Sequence, residues 1–195
     1  MRIPFVDGTF EAVQFHTHVG SEHTIGGKSY DSELHIVHKQ VDGDRFAVVG
    51  IMLNGDAAVD NKQFQRLLDG WDRVATKVAK DCGDDVNEKK MRTITESFNV
   101  YDLIPAAANF YQYDGSLTTP PCSEVVWWNV ADVPLSISKA QMDKLKTYTR
   151  KFVDPKTCEL DPSASPFDGT TIRPVAQDSG TRKVMRICPV NFFAN

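Results

Sequence analysis

All five histidines of this chain lie between residues 14 and 38, in "QFHTHVGSEHTIGGKSYDSELHIVH". Their spacing constrains the fold more than any other feature. Alternate residues of a β-strand share a face. "FEAVQFHTHVG" alternates as a strand does, so Gln14, His16 and His18 line up on one side. Their Cα atoms step by roughly 6.6–6.8 Å, two rises of about 3.3–3.4 Å, which lets two imidazoles converge on one ion. "SELHIVHKQV" reads as a second strand. It puts Glu33, His35 and Val37 on one face and Leu34, Ile36 and His38 on the other. If the two strands pair, His35 supplies a third nitrogen. Three neutral imidazoles with a position left for water make an open catalytic zinc site, not a closed structural one. A ligating histidine needs its other ring nitrogen held. Gln14 and Glu33 each stand two residues from a candidate ligand, on its own face. A lone H-x-H is a weak signal, because short motifs recur by chance. The combination of H-x-H, E-x-H and polar holders carries the reading. His23 and His38 are read as structural, hydrogen-bonded inside the hairpin.

The rest of the chain suits a mostly β protein of the α+β type. "RFAVVGIML" reads as a buried third strand, and "TESFNVYDLIP", "EVVWWNVADVPL" and "RKVMRI" as further strands. In "DNKQFQRLLDGWDRVATKVAK" the period changes. Phe64, Leu67, Leu68, Trp71, Val74 and Val78 fall on one helical face, with Asp60 or Asn61 as the cap. "SKAQMDKLKTY" predicts a short helix, with Ser138 and Gln141 at capping-box spacing. "DPSASPFDGTTIRPVAQDSG" is turn-rich and reads as surface-wrapping chain.

Composition excludes some functions. The net charge of −4 comes without a basic stripe, so nucleic acid is not an expected partner. No apolar run approaches bilayer-spanning length, and "MRIPFVDGTF" has no signal-peptide core. None of Cys82, Cys122, Cys158 and Cys188 forms a C-x-x-C pair, which argues against a thiolate zinc site. Their pairing stays open, as does the oligomeric state.

"QFHTHVG", "SEHTI", "ELHIVH" and "GSLTTPP", in that order, resemble the α-class carbonic anhydrases, and similarity continues through "VVGIML", "EVVWW" and "IRPV". The resemblance implies a large, twisted, mainly antiparallel sheet with peripheral short helices and zinc at the base of a conical cleft. It implies reversible hydration of carbon dioxide to bicarbonate and a proton by zinc-bound hydroxide. It assigns zinc to His16, His18 and His35, and the polar groups behind them to Gln14 and Glu33. Thr118 matches the threonine that orients the hydroxide, and Glu22 the buried glutamate that accepts its proton. A carboxylate only accepts, so it fixes the direction of the threonine hydrogen. Thr119 and the backbone N–H of Thr118 meet the product's oxygens. Val37, Val48, Leu117, Val126 and Trp128 match the apolar wall for carbon dioxide. His23 and Tyr113 match a buried polar network beside the metal.

The sequence departs from the family in places. The resemblance implies a single domain over residues 1–195 lacking the family's N-terminal portion, which usually carries a proton-shuttle histidine. Thr17 stands where an aromatic is usual, and Val19 where a tryptophan is usual. "TTPPC" resembles secreted and lumenal members. The competing functions are a non-catalytic binding or storage member, which typically lacks a zinc histidine, and a zinc esterase acting on activated esters.

Overall fold

A computed structural model describes residues 6–81, 98–150 and 182–187, without the side chains of 74–81 and 150. They fall into two compact units, divided at Asn54/Gly55, Leu103/Ile104 and Leu135/Ser136.

The first unit holds the sheet. Its strands are β1 (Phe10–Val19), β2 (Ser32–Gln40), β3 (Phe46–Ala57, reaching past the division), β4 (Phe110–Gly115), β5 (Val126–Ala131) and β7 (Met185–Ile187). The order across the sheet is β1-β2-β3-β5-β4-β7. β1–β2, β2–β3, β4–β5 and β4–β7 pair antiparallel, while β3–β5 pairs parallel. The expected large, mainly antiparallel sheet is present, with β3–β5 paired parallel. Among the described residues β1 is the outermost strand on its side. A bulge between Ala12 and Gln14 leaves Val13 out of the ladder and exposed.

β2 lies between β1 and β3 and is buried from Ser32 to His38. Both faces of its alternating pattern are therefore used. Leu34, Ile36 and His38 face one way with Ala47, Val49, Ile51 and Leu53 of β3, all at most 1 % exposed. Glu33, His35 and Val37 face the other way, opposite Met52, Gly50 and Val48. That second face continues through Trp128 and Val130 of β5 to Tyr113 and Tyr111 of β4.

The second unit carries α1 (Lys62–Asp81) and α2 (Lys139–Arg150), the latter following β6 (Leu135–Ser138). Both predicted caps form. Asn61 Oδ1 accepts from the N–H groups of Gln63 and Phe64 at 3.1 and 3.0 Å. Ser138 Oγ accepts from Gln141 N at 3.1 Å, and Ser138 N donates to Gln141 Oε1 at 3.2 Å, closing the reciprocal box. Phe64, Leu67 and Leu68 are buried as the helical period requires. Val74 and Val78 lie outside the described side chains. No helix among the described residues is long and apolar enough to cross a membrane.

Two strand expectations are corrected. "TESFNVYDLIP" contains a 3-10 helix at Val100–Leu103. The cause is Asn99: its Oδ1 accepts from Tyr101 N at 3.2 Å and its carbonyl from Asp102 N at 3.1 Å, a local alternative to a sheet ladder. "EVVWWNVADVPL" splits into β5 and β6. Asp132 ends the first piece by engaging Asn109, whose N–H donates to Asp132 Oδ1 at 2.8 Å, and Pro134 offers no backbone donor. In "RKVMRI" only Met185–Ile187 forms strand. The turn-rich tail and Cys82, Cys158 and Cys188 lie outside the described residues; Cys122 is a free, exposed thiol.

Candidate metal centre

β1 and β2 pair in register so that His16 opposes His35, His18 opposes Glu33 and Gln14 opposes Val37. Alternation on each strand then brings three imidazoles onto one face. Their ring centroids are 5.0 Å (His16–His18), 5.2 Å (His16–His35) and 4.7 Å (His18–His35) apart. One nitrogen from each ring lies within 4.8 Å of the others.

The remaining nitrogens are held as expected. His16 Nδ1 pairs with Gln14 Oε1 at 2.8 Å, and His35 Nε2 with Glu33 Oε1 at 2.9 Å. Amide and carboxylate oxygens accept, so both imidazole nitrogens donate. This fixes the tautomers and leaves His16 Nε2 and His35 Nδ1 with lone pairs to offer. Burial, then the neighbouring His35 and His18, hold the His16 pKa down to about 3, partly offset by Glu33. The ring is thus neutral, the form a metal binds.

Behind the triad runs a polar chain. Burial alone would raise the Glu33 pKa, but hydrogen bonds and charge from His23, then His35, outweigh it and hold the carboxyl well below the usual range. His23 donates to it twice, from its backbone N–H to Oε2 at 2.9 Å and from Nδ1 to Oε1 at 2.6 Å. His23 Nε2 then accepts from the Tyr113 hydroxyl. The β1–β2 connection makes this possible. Ser21 ties it shut, its Oγ donating to His23 O at 2.7 Å and accepting from Tyr30 N at 2.9 Å. Trp128 packs edge-on against His23 and His35, with centroids 4.7 and 4.8 Å away.

Glu22 is buried beside the triad, its Oε2 3.4 Å from His18 Nε2 and without a hydrogen-bond partner. Three converging imidazoles, two with their outer nitrogens occupied, beside an unsatisfied buried carboxylate oxygen, fit a divalent cation of the zinc type.

A model of the eukaryotic-type carbonic anhydrases matches residues 2–186. The chain belongs to that family. A carbonic anhydrase of Nostoc sp. is 41% identical over 135 residues, covering 69% of this chain and 46% of the relative. Carbonic anhydrase 3 of Homo sapiens is 35% identical over 158 residues, covering 72% and 55%. This carbonic anhydrase family member thus spans about half the length of the curated relatives it matches. Among solved structures, the α-carbonic anhydrase of Thermovibrio ammonificans superposes with a TM-score of 0.62 at 30% identity, over 90% of this chain and 62% of its own. A halotolerant carbonic anhydrase from Dunaliella salina gives 0.63 at 31%, over 91% and 61%.

The other candidate residues fall as follows. Val37, Val48, Val126 and Trp128 belong to one buried apolar cluster, and Leu117 and Tyr113 pack against it. Thr118 is half-buried and Thr119 exposed, both in the loop after β4. Among the described residues Thr118 makes no hydrogen bond to Glu22, whose polar neighbour is His18. Sequence reasoning passed over Ser32, whose hydroxyl donates to the His18 carbonyl and locks the second ligand strand in place. It also passed over Gly50. Its only signal was a glycine inside an otherwise apolar strand, which marks close approach by another group.

Proposed function

We propose that this chain holds one zinc ion through His16, His18 and His35 and catalyses the reversible hydration of carbon dioxide to bicarbonate and a proton. The observation that carries the reading is the set of three imidazoles from paired strands, one nitrogen of each within 4.8 Å of the others. A zinc ion there would supply Lewis acidity that ionises a coordinated water near pH 7, carbonic anhydrases being the standard case of that shift to about 7. The chain's own residues do the rest. Gln14 and Glu33 orient two ligand rings and keep their protons on the outward nitrogens. The apolar cluster of Val37, Val48, Val126 and Trp128, with Leu117 against it, excludes water and receives the carbon dioxide. For catalysis the Thr118 hydroxyl, which makes no hydrogen bond to Glu22 in this structure, would turn to donate to the Glu22 carboxylate and accept from the attacking oxygen, directing that oxygen's lone pair toward carbon. The Thr118 N–H and the Thr119 side chain hold the product's oxygens.

Hydration of carbon dioxide by the purified chain, with and without a zinc chelator, tests this. The rate should vanish on chelation and return with zinc. A zinc-loaded chain that leaves hydration at the uncatalysed rate would establish the second reading, a non-catalytic binding member. That reading is favoured by one observation: Glu22 Oε2 lies 3.4 Å from His18 Nε2 and makes no hydrogen bond to Thr118 among the described residues.

A further inference from the structure

Gly50 stands in the middle of β3, the register partner of His35 on one side and of Val130 on the other. A glycine weakens a strand interior, so this position needs a reason. A Cβ built on it would lie 2.8 Å from Glu33 Oε1, with Val130 Cγ2 at 3.6 Å and Trp128 Cζ3 at 3.8 Å. The Glu33 carboxylate therefore occupies the volume a side chain would take. It has little freedom to swing aside. Glu33 is fully buried and receives hydrogen bonds from His23 N, His23 Nδ1 and His35 Nε2 at 2.9, 2.6 and 2.9 Å.

The geometry points to Gly50 as a positioning residue for the metal centre. By lacking a side chain, it lets the Glu33 carboxylate fold across the neighbouring strand and hold the His35 ring with Nδ1 toward the ion. A methyl group here would push the carboxylate off His35 and free the ring to turn. The inference rests on the zinc-triad reading above.

Zinc affinity of the full chain, measured by competition with a chromophoric chelator, tests it alongside the thermal midpoint without metal. Gly50→Ala should weaken zinc about 10–100-fold, the usual cost of disturbing a ligand's outer partner. In a Glu33→Ala background there is no carboxylate to displace. There the same change should leave zinc affinity unaltered and raise the midpoint, since alanine suits a strand better. An equal loss in both backgrounds would overturn the inference, because the damage would then lie in the sheet. So would unchanged affinity in Gly50→Ala beside a wild type that binds zinc and loses it in His35→Ala. A wild type that binds no zinc, or keeps it in His35→Ala, would instead remove the triad reading, and this inference with it. If Gly50→Ala does not fold, the Glu33→Ala/Gly50→Ala double variant decides. Its folding supports the steric conflict, and its failure where Glu33→Ala folds overturns it.

Discussion

His16 and His35 face each other directly across the β1–β2 pair, their rings 5.2 Å apart and nearly perpendicular at 89°. Each is steadied from its own strand, by Gln14 and by Glu33, two residues back. The pairing register alone thus decides whether a third ligand meets the first two. A one-residue slip would turn His35 to the opposite face.

Replacing His35 by Ala removes one of the three donors and leaves Glu33 with one fewer hydrogen bond. Bound zinc, measured by atomic absorption after dialysis, should fall from one per chain to near zero. Retention of stoichiometric zinc in a folded variant would sink the ligand assignment.

Thr118→Ala should lower hydration by about 10²–10³-fold, the cost of losing one oriented hydrogen bond at a reacting centre. Zinc content should not change, because the hydroxyl is no ligand. Turnover equal to wild type would refute the orienting role.

His38 supplies a pH dependence. It is fully buried on the face away from the triad, with Nδ1 on the Ala47 carbonyl at 3.1 Å, and burial lowers its pKa below 6.5. The unfolded chain therefore takes up a proton near pH 6.5 that the native chain refuses. Its stabilising contribution is complete above that pH and fades as pH falls toward the depressed native value. Urea midpoints of the metal-free protein should drop between pH 7.5 and 5. His38→Asn keeps a donor for Ala47 but removes the titration, so its midpoint should fall less steeply. Identical slopes would exclude His38 as a contributor.

Proton export should limit turnover. The chain has five histidines. Three form the triad, His23 is engaged with Glu33 and Tyr113, and His38 is buried in the opposite face. None remains to carry a proton to solvent near neutral pH. Hydration at fixed pH and ionic strength should rise and saturate with added imidazole buffer. A high rate indifferent to buffer concentration would show that another group carries the proton.

The triad was legible in sequence because a strand's period is two. His16 and His18, and each ligand with its holder, share a face whatever the tertiary context. Both helix caps were legible for a similar reason, since Asn61 and Ser138 act within three residues of themselves. The misread segments are those where one side chain overrides propensity: Asn99 closes a 3-10 turn, and Asp132 interrupts a strand by reaching Asn109. Gly50 escaped because its role depends on Glu33, a residue distant in sequence and adjacent only through the β2–β3 register. Glu22 was named from sequence, but its nearness to His18 was not foreseen, because it depends on how the β1–β2 connection folds back.

β1 ends the order of the described strands, and its bulge at Val13 loosens the ladder just before the candidate ligands. Two of the three candidate ligand rings therefore stand on the strand that, among the described residues, has a neighbour on one side only. An ion bridging them to His35 would act as a cross-strand clasp, fastening the margin of the sheet to its interior. Edge strands open at low free-energy cost, and metal binding to the closed form adds directly to its stability. Amide hydrogens of Phe15 to Val19 should accordingly exchange quickly without zinc and slowly with it, while those of Val49 to Leu53 should change little. In this fold, the ion that would do the chemistry would also help fasten the first strand to the sheet.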